Sequence, residues 1–486
     1  MRRIEPIRVF ELFELISQIP RCTGDEEAIS NYLVDFSKNL GLEVNKDQFG
    51  NVIIKKDATK GYETSATIIL QGHMDMLCIK AQDSEHDFSV DALKLSVSGD
   101  LIMADNTALG ADNGIALAFY MALLESNDIP HPPLEVVLTV QEQAGLIGAR
   151  ALDVTNLLGR YLINMDSESE GEFIIGCAGE KRVHLTQDLE RETHDFDMES
   201  IIRVSGLKGG HSGLNIHQNR GNAGQLMAHI YRAISEVIPV ALISMCGGEK
   251  YNVIPNYGEL KISMPHDAVE TFKSQMEVVS DVLEDYLNEP GIQLEFDICP
   301  IHQSTKVLSD KSTEQLMDLI LMLPIGVNSL SDKSTELVDT SLNLGILRVH
   351  DDLANIKISV RSMTAGRLDV VLGRLKILTK LTKANMKIEN TYPAWNDEGD
   401  NHLRRVFRHA YKEQCGEAPT MRSIHAGLEC SILAQKLNDR ALLPAVEMIS
   451  FGPDIFDAHT PEEAVSISSI RRTWELFQHI LKQLRE

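Results

Sequence analysis

Histidine and carboxylate side chains recur in this sequence where apolar runs end. His73 and Asp75 follow the β-branched run 66–70, which predicts a buried strand. In proteins with a twisted parallel sheet, the active site lies outside the carboxyl ends of the strands. Imidazole and carboxylate groups bind zinc, and a metal-bound histidine often has a carboxylate that fixes its ring. The pair suggests a metal site, although a turn with a surface histidine is the simpler explanation for one pair alone.

Other polar side chains repeat this arrangement. Each follows a predicted strand or heads a predicted helix: Glu142 and Gln143 after 134–140, Asp166 after 161–164, His459 after 445–451, and Asp112 before 115–124. An aspartate at a helix start is most often an N-cap, and a solvated turn explains any single member. Together they form the constellation that a metal site needs.

The elements around these residues predict an α/β fold. Strands alternate with helices over 1–190 and again over 395–486, which predicts one split catalytic domain with a mainly parallel sheet sandwiched by helices. Over 191–394 the order becomes strand, helix, strand, strand, helix, strand, twice. We therefore expect an inserted α+β lid domain of two ferredoxin-like repeats, which share a strand near 293–299.

Composition narrows the function classes. The 486 residues carry a net charge of −25, which argues against nucleic acid and anionic membranes as partners. The stretch 4–19 contains three glutamates, so we expect no signal peptide, and no apolar run is long enough to span a membrane. The seven cysteines are scattered without a Cys-x-x-Cys motif, which predicts reduced thiols in the cytoplasm.

Two spots stand out in the insert. The turn 208–213 is rich in glycine and contains His211. Glycine lets backbone approach a ligand closely, and the turn lacks the spacing of a phosphate loop. Arg361 ends an apolar strand, where it is either a surface salt-bridge partner or a fork for a carboxylate.

The order and spacing of these motifs resemble a known family over essentially the whole chain. The motifs are Gln-Gly-His-Met-Asp-Met, Leu-Gly-Ala-Asp-Asn-Gly, Asn-Met-Asp-Ser-Glu, Gly-Leu-Lys-Gly-Gly-His-Ser-Gly, Ile-His-Ala-Gly-Leu-Glu-Cys and Ala-His-Thr-Pro-Glu. They are similar to those of the bacterial aminoacyl-histidine dipeptidases (Xaa-His dipeptidase, peptidase D). That family belongs to the carnosinase and aminoacylase superfamily of dinuclear zinc exopeptidases.

The resemblance implies two zinc ions, although other divalent metals also suit the donors. His73, Asp112 and Asp166 would hold the first. Asp112 would bridge to a second zinc, which His459 and the residue at position 143 would also hold. Asp75 would orient His73, and Glu142 would be the general base.

The resemblance also implies a dipeptide substrate and a homodimer formed through the lid. His211 of the partner subunit would polarise the scissile carbonyl, and Arg361 would bind the C-terminal carboxylate. Three further residues would line the substrate site: Asn252, Gly427 and Glu429.

Position 143 departs from the family pattern, in which two carboxylates follow each other. Gln143 offers only an amide oxygen, which suits hard cations better than zinc. We therefore expect a weak second site. The leading hypothesis is metal-dependent hydrolysis of dipeptides, Xaa-His first. The alternative is a metal-poor, catalytically weak paralogue that binds peptides or metal.

Overall fold

A computed structural model describes residues 4–287, 291–301, 305–332, 337–440 and 444–485. The chain forms two compact units, and each is described by itself. The first unit comprises Met1–Cys177, Trp395–Ser423 and Leu428–Glu486, and the second comprises Ala178–Ala394 and Ile424–Gly427. The first break lies before the predicted boundary at 190/191, because the strand Gly179–Asp188 pairs with Leu353–Ser362 of the second unit.

The first unit is built on an eight-stranded sheet. In sheet order its strands are Glu43–Lys46, Val52–Lys56, Leu134–Thr139, Ile68–His73, Tyr161–Asn164, Glu447–Ser450, Glu172–Cys177 and Thr420–Ile424. The four central strands are parallel to one another, and Val52–Lys56 and Glu172–Cys177 join them antiparallel. Because both faces of the central strands are buried, these strands appear in the sequence as continuous apolar runs.

Helices cover both faces of this sheet. Ile68 and Leu70 point into a core that includes the helices Ile7–Ile16 and Ala111–Glu125, whereas Ile69 is buried outside that core. The other helices are Glu27–Asn39, Ile147–Ala151, His402–Cys415, Cys430–Asn438 and Ile467–Gln483. A small four-stranded sheet contains Leu95–Ser98, Leu101–Ala104, Ile455–Phe456 and Ala464–Ser466. The α/β fold matches the prediction.

The second unit has a large antiparallel sheet. In order its main strands are Gln293–Pro300, Met198–Ser205, Gly258–Met264, Ala241–Gly247, Val338–His350, Leu353–Ser362, Gly179–Asp188 and Asn385–Tyr392, with Gly326–Leu330 beside Val338–His350. Its helices are Ala223–Ser235, Val269–Leu287, Asp310–Leu321 and Ala365–Thr382, with 3-10 turns at Ile216–Gln218 and His266–Ala268. A separate two-stranded sheet pairs Arg191–Thr193 with Lys306–Leu308.

The large sheet contains the two predicted ferredoxin-like repeats, but they do not share a strand. Gln293–Pro300 closes the first repeat at the sheet edge and pairs with Met198–Ser205. The first strand of the second repeat is Gly179–Asp188, which precedes the first repeat in the chain and pairs with Leu353–Ser362 and Asn385–Tyr392. The prediction that the two repeats share a strand was therefore wrong, because a local pattern does not reveal which distant strand completes a repeat.

Two further observations concern the whole described chain. None of the helices in the described ranges is both long and apolar enough to span a bilayer. Cys22 and Cys78 form a disulfide, with 5.5 Å between their Cα atoms. This pair corrects the expectation that all the cysteines are thiols; a spacing of 56 residues carries no recognisable motif.

Candidate active site

Three predicted ligands meet at the carboxyl ends of the central strands. His73 Nε2 lies 2.9 Å from Asp112 Oδ1 and 3.5 Å from Asp166 Oδ1. One ligand atom from each of the three residues lies within 4.8 Å of the others. Imidazole and two carboxylates are the donor set of a zinc site, so the residues present fit this metal.

Asn113 holds these strand ends together. Its Oδ1 atom accepts a hydrogen bond from the His73 backbone N–H at 3.2 Å. Its Nδ2 atom donates to the Met165 carbonyl at 2.5 Å and to Asp166 Oδ1 at 3.1 Å. One amide therefore fixes the segment that carries His73 relative to the segment that carries Asp166.

The loop before Asp112 is held by the buried carboxylate of Glu463. The backbone N–H groups of Leu109, Gly110 and Ala111 donate to it at 2.9, 2.9 and 2.8 Å. Backbone N–H donors at the start of a helix stabilise a carboxylate that accepts from them. Glu463 thus positions the turn from which Asp112 reaches the site.

Asp75 connects His73 to the turn that carries Glu142. The backbone N–H groups of Glu142 and Gln143 donate to its two carboxylate oxygens at 2.9 and 3.2 Å, and the Thr23 hydroxyl donates at 2.9 Å. His73 Nδ1 lies 3.0 Å from the Asp75 carbonyl oxygen and 3.5 Å from Oδ1. Burial raises the pKa of Asp75, but His73 and the two N–H donors outweigh it and hold that pKa below its ordinary value.

The second predicted metal group surrounds the other oxygen of Asp112. His459 Nε2 lies 3.0 Å from Asp112 Oδ2. Gln143 Nε2 donates to the same oxygen at 2.9 Å and lies 3.2 Å from His459 Nε2. The structure thus brings Asp112, His459 and Gln143 together, with the Gln143 amide where the family pattern has a carboxylate.

Glu142 precedes Gln143 in the chain, and its carboxyl group lies close enough to His73 and Asp166 to be influenced by their charges. Burial raises the pKa of Glu142 well above its ordinary value; the charge of His73 opposes this shift, whereas Asp166, Glu429 and Asp75 add to it. A carboxyl group in such surroundings keeps a proton more readily than an exposed one, as a group that accepts a proton during catalysis must.

Arg361 lies within a buried polar cluster of the second unit. The Arg361 side chain is 4% exposed and forms an ion pair with Glu180 at 3.2 Å. Its Nη1 atom donates to the Tyr392 hydroxyl at 2.8 Å. A Cβ atom at Gly427 would overlap the Tyr392 ring, so only glycine permits this close approach. Of the two alternatives for Arg361, the salt bridge is present but buried, not at the surface, and the binding of a substrate carboxylate stays a prediction.

His425 belongs to the same region and was not selected from the sequence. Its Nε2 atom lies 2.7 Å from the Ser341 hydroxyl. Burial, together with the positive charge of Arg361, lowers the pKa of His425 to about 3. His425 is therefore neutral at physiological pH, and the quoted Ile-His-Ala-Gly run was the signal that could have identified it.

The ring of His211 has a defined tautomer. The backbone N–H groups of Gly213 and Leu214 donate to its Nδ1 atom at 3.3 and 3.1 Å. Nδ1 is therefore the acceptor, and the neutral ring carries its proton on Nε2. Asn252 lies in the adjoining segment, where its carbonyl accepts from the Ser212 N–H at 2.8 Å.

Glu429 occupies a supporting position. It is 0% exposed, and its carboxylate accepts from Gln71 Nε2 at 2.5 Å and from the Thr139 hydroxyl at 2.6 Å. Burial raises the pKa of Glu429 to about 7. Glu429 is thus buried against the strands that carry Gln71 and Thr139, and its place in the lining of the substrate site stays a prediction.

Known proteins resemble the chain over nearly its whole length. Residues 69–483 match the sequence profile of the peptidase family M20/M25/M40. The cytosol non-specific dipeptidase of Escherichia coli K12 is 34% identical over 485 residues, which cover 100% of this chain and 99% of the relative. The aminoacylhistidine dipeptidase from Vibrio alginolyticus is 32% identical with a TM-score of 0.82, covering 99% of this chain and 97% of that one. The aminopeptidase PepT from Bacillus cereus, at 18% identity and a TM-score of 0.56 over 99% and 100% of the two chains, shares the fold.

Proposed function

The chain belongs to the peptidase family M20/M25/M40 and is an enzyme that hydrolyses peptide bonds, and from this premise we propose that it cleaves unblocked dipeptides. The observation that carries the proposal is the convergence of His73, Asp112, Asp166 and His459 beside Glu142. Two relatives that match nearly the whole chain are named dipeptidases, which supports the substrate class.

We assign the metal ligands to these residues. His73, Asp112 and Asp166 would hold one zinc ion, and Asp112, His459 and Gln143 would surround a second, weaker site. When bound, zinc makes water a stronger acid and polarises a carbonyl. Other divalent metals suit the same donors.

The protein's own groups would then move the protons. Glu142 would accept a proton from the attacking water and return it to the leaving amine, for which its raised pKa is suited. Asp75 would hold both His73 and the Glu142 turn in place through the bonds described above. His211 of the partner subunit would donate its Nε2 proton towards the scissile carbonyl, as the tautomer set by Gly213 and Leu214 allows.

The second unit would recognise the C-terminal end of the substrate. Arg361 would bind the C-terminal carboxylate, with Gly427 and Asn252 lining the same region. Its pairing with Glu180 and Tyr392 fixes the guanidinium plane in advance. Because Arg361 would bind the free C-terminal carboxylate of the substrate, its presence favours an exopeptidase over an endopeptidase.

A peptide panel tests the proposed function. Purified protein with zinc is incubated with Xaa-His dipeptides including carnosine, other dipeptides, tripeptides and N-acetylated dipeptides, and released amino acids are measured. We expect cleavage of unblocked dipeptides, with Xaa-His peptides first, as the name of the Vibrio relative suggests. Preferential cleavage of tripeptides or blocked peptides would contradict the substrate class.

The second candidate is a metal-poor paralogue that binds peptides or metal but turns over slowly. The observation that favours it is Gln143, whose amide nitrogen faces Asp112 and His459. The same panel distinguishes the two, because this candidate binds dipeptides in calorimetry without releasing amino acids.

We also propose a cytoplasmic homodimer. The cytosolic name of the E. coli relative supports the location, and the role assigned to His211 requires two copies. The Cys22–Cys78 disulfide is an observation against this location, because disulfides are uncommon in a reducing compartment. Cell fractionation and light scattering test the location and the oligomeric state.

A further inference from the structure

Gln143 leaves the second metal group short of one negative charge. Its amide nitrogen lies between Asp112 Oδ2 and His459 Nε2, at 2.9 and 3.2 Å. An amide presents only a dipole to a cation, whereas a carboxylate presents a full charge. Without another donor, a dication at this position would face the single shared carboxylate of Asp112.

Glu168 provides a carboxylate at this position. One oxygen of Glu168, one oxygen of Asp112 and one ring nitrogen of His459 all lie within 4.8 Å of one another. Two donors that are each about 2.0–2.2 Å from a zinc ion lie at most about 4.4 Å apart. A shift of a few tenths of an ångström therefore suffices to bring the three donors into one coordination sphere.

The Glu168 side chain is available for such a shift. It is exposed, and within the described part of the chain no group donates a hydrogen bond to its carboxylate and no cation pairs with it. When no cation lies between them, the carboxylates of Asp112 and Glu168 repel each other, since like charges at short range are unfavourable. A cation between them removes this conflict.

The backbone at Glu168 is fixed against the segment that leads to His459. The Ile455 N–H donates to the Glu168 carbonyl at 3.1 Å, and the Ser167 N–H donates to the Phe451 carbonyl at 3.4 Å. A Cβ atom at Gly452 would overlap the Ser167 carbonyl, so glycine permits the close approach. The chain thus holds Glu168 beside His459 through backbone contacts.

We propose that Glu168 is a carboxylate ligand of the second metal and takes the part that Gln143 cannot perform. Asp112 and Glu168 would together supply two negative charges to a dication, with His459 as the neutral donor. The inference rests on the proposed function for the nature of the metal, but its test measures metal binding and does not depend on turnover.

The test compares zinc binding by equilibrium dialysis with elemental analysis. We expect the natural protein to bind two zinc ions per chain, and Glu168→Gln to keep the first while its second dissociation constant rises about 100-fold. Glu462→Gln is the matched control, because Glu462 is an exposed acid near His459 that lies outside both donor groups. We expect this control to bind zinc as the natural protein does.

A compensating variant makes the assignment specific. Gln143→Glu combined with Glu168→Gln restores a carboxylate to the site, so we expect the second zinc to return. Glu168→Ala serves as a second truncation, and the melting temperatures of the metal-free proteins identify any variant that does not fold. An unchanged second dissociation constant in both truncations would overturn the proposal, as would a natural protein with only one zinc site. Loss of the second zinc without any dipeptidase activity in the natural protein would leave the proposal standing and overturn the proposed function.

Discussion

His459 Nε2 lies 3.0 Å from Asp112 Oδ2, although 347 positions separate the two residues in the chain. The second unit is inserted between them in sequence, and the chain returns to the first unit at Trp395. The strand Glu447–Ser450 pairs in parallel with Tyr161–Asn164, which places the segment leading to His459 beside the turn that carries Asp166. The sheet therefore brings the proposed metal ligands together.

Asp75 is predicted to control zinc affinity although it is not itself a ligand. Asp75→Asn removes a charge that contacts His73 and orders the Glu142–Gln143 turn. We expect the affinity for the first zinc to fall about 10- to 100-fold. Competition with a zinc chelator measures this, with Asp153→Asn at an exposed turn as the control. Equal zinc affinity in the two variants would contradict the positioning role.

Arg361 is predicted to recognise the substrate carboxylate. Arg361→Lys keeps a positive charge beside Glu180 but loses the planar fork, whereas alanine would leave Glu180 buried without its partner. We expect KM for free dipeptides to rise about 10- to 100-fold with little change for C-terminally amidated dipeptides. Arg182→Lys, which also alters a partner of Glu180, is the control. An equal rise in KM for both substrates would count against the role.

The trans action of His211 predicts complementation between two inactive variants. His211→Ala lacks the carbonyl donor and Glu142→Gln lacks the base, so we expect each homodimer to be nearly inactive. In a heterodimer, one active site would combine the intact base of one chain with the intact His211 of the other. After random subunit exchange, we expect about a quarter of the natural activity from two-fold symmetric dimers. No recovery after proven exchange would exclude the trans arrangement.

His425 predicts an acid-sensitive stability. The pKa of His425 is about 3 in the folded protein, against an ordinary value of 6.5. Below pH 6.5 the unfolded chain therefore binds a proton at this histidine that the folded chain does not bind. Its contribution to stability is complete above pH 6.5 and decreases as the pH falls towards 3. Between pH 6.5 and 4.5 the loss is about 2 kcal/mol.

Urea unfolding of the metal-free protein at several pH values measures this loss. We expect His425→Gln, which keeps a partner for Ser341 but does not titrate, to have a shallower pH dependence than the natural protein. His217→Gln changes an exposed histidine of the same unit and is the control. Parallel pH profiles for all three proteins would show that His425 is not the group responsible.

The sequence located the central strands and the polar residues at their ends because both follow from local patterns. Apolar runs such as 66–70 mark strands buried on both faces, and His73 follows such a run directly. Gln143 was identified because it departs from the family pattern, in which two carboxylates follow each other. The position of each proposed ligand along the chain was therefore predictable without knowing the pairing of distant strands.

Features that depend on pairing between distant segments were not predictable in this way. The first strand of the second repeat comes from Gly179–Asp188, and Cys22 pairs with Cys78, neither of which a local pattern records. Glu463 acts through backbone N–H groups more than 350 positions away. Glu168 was visible two residues after Asp166, but its approach to His459 depends on backbone contacts that join separate segments.

The most direct measurement of the central claim is a zinc titration of the metal-free protein, with dipeptide hydrolysis and bound zinc followed together. We expect no hydrolysis without metal and activity that rises with zinc occupancy. Glu142→Gln should bind zinc as the natural protein does yet hydrolyse at least about 100-fold more slowly, because it keeps the ligands and lacks the base. Full hydrolysis by metal-free protein, or a Glu142→Gln variant as active as the natural chain, would contradict the account.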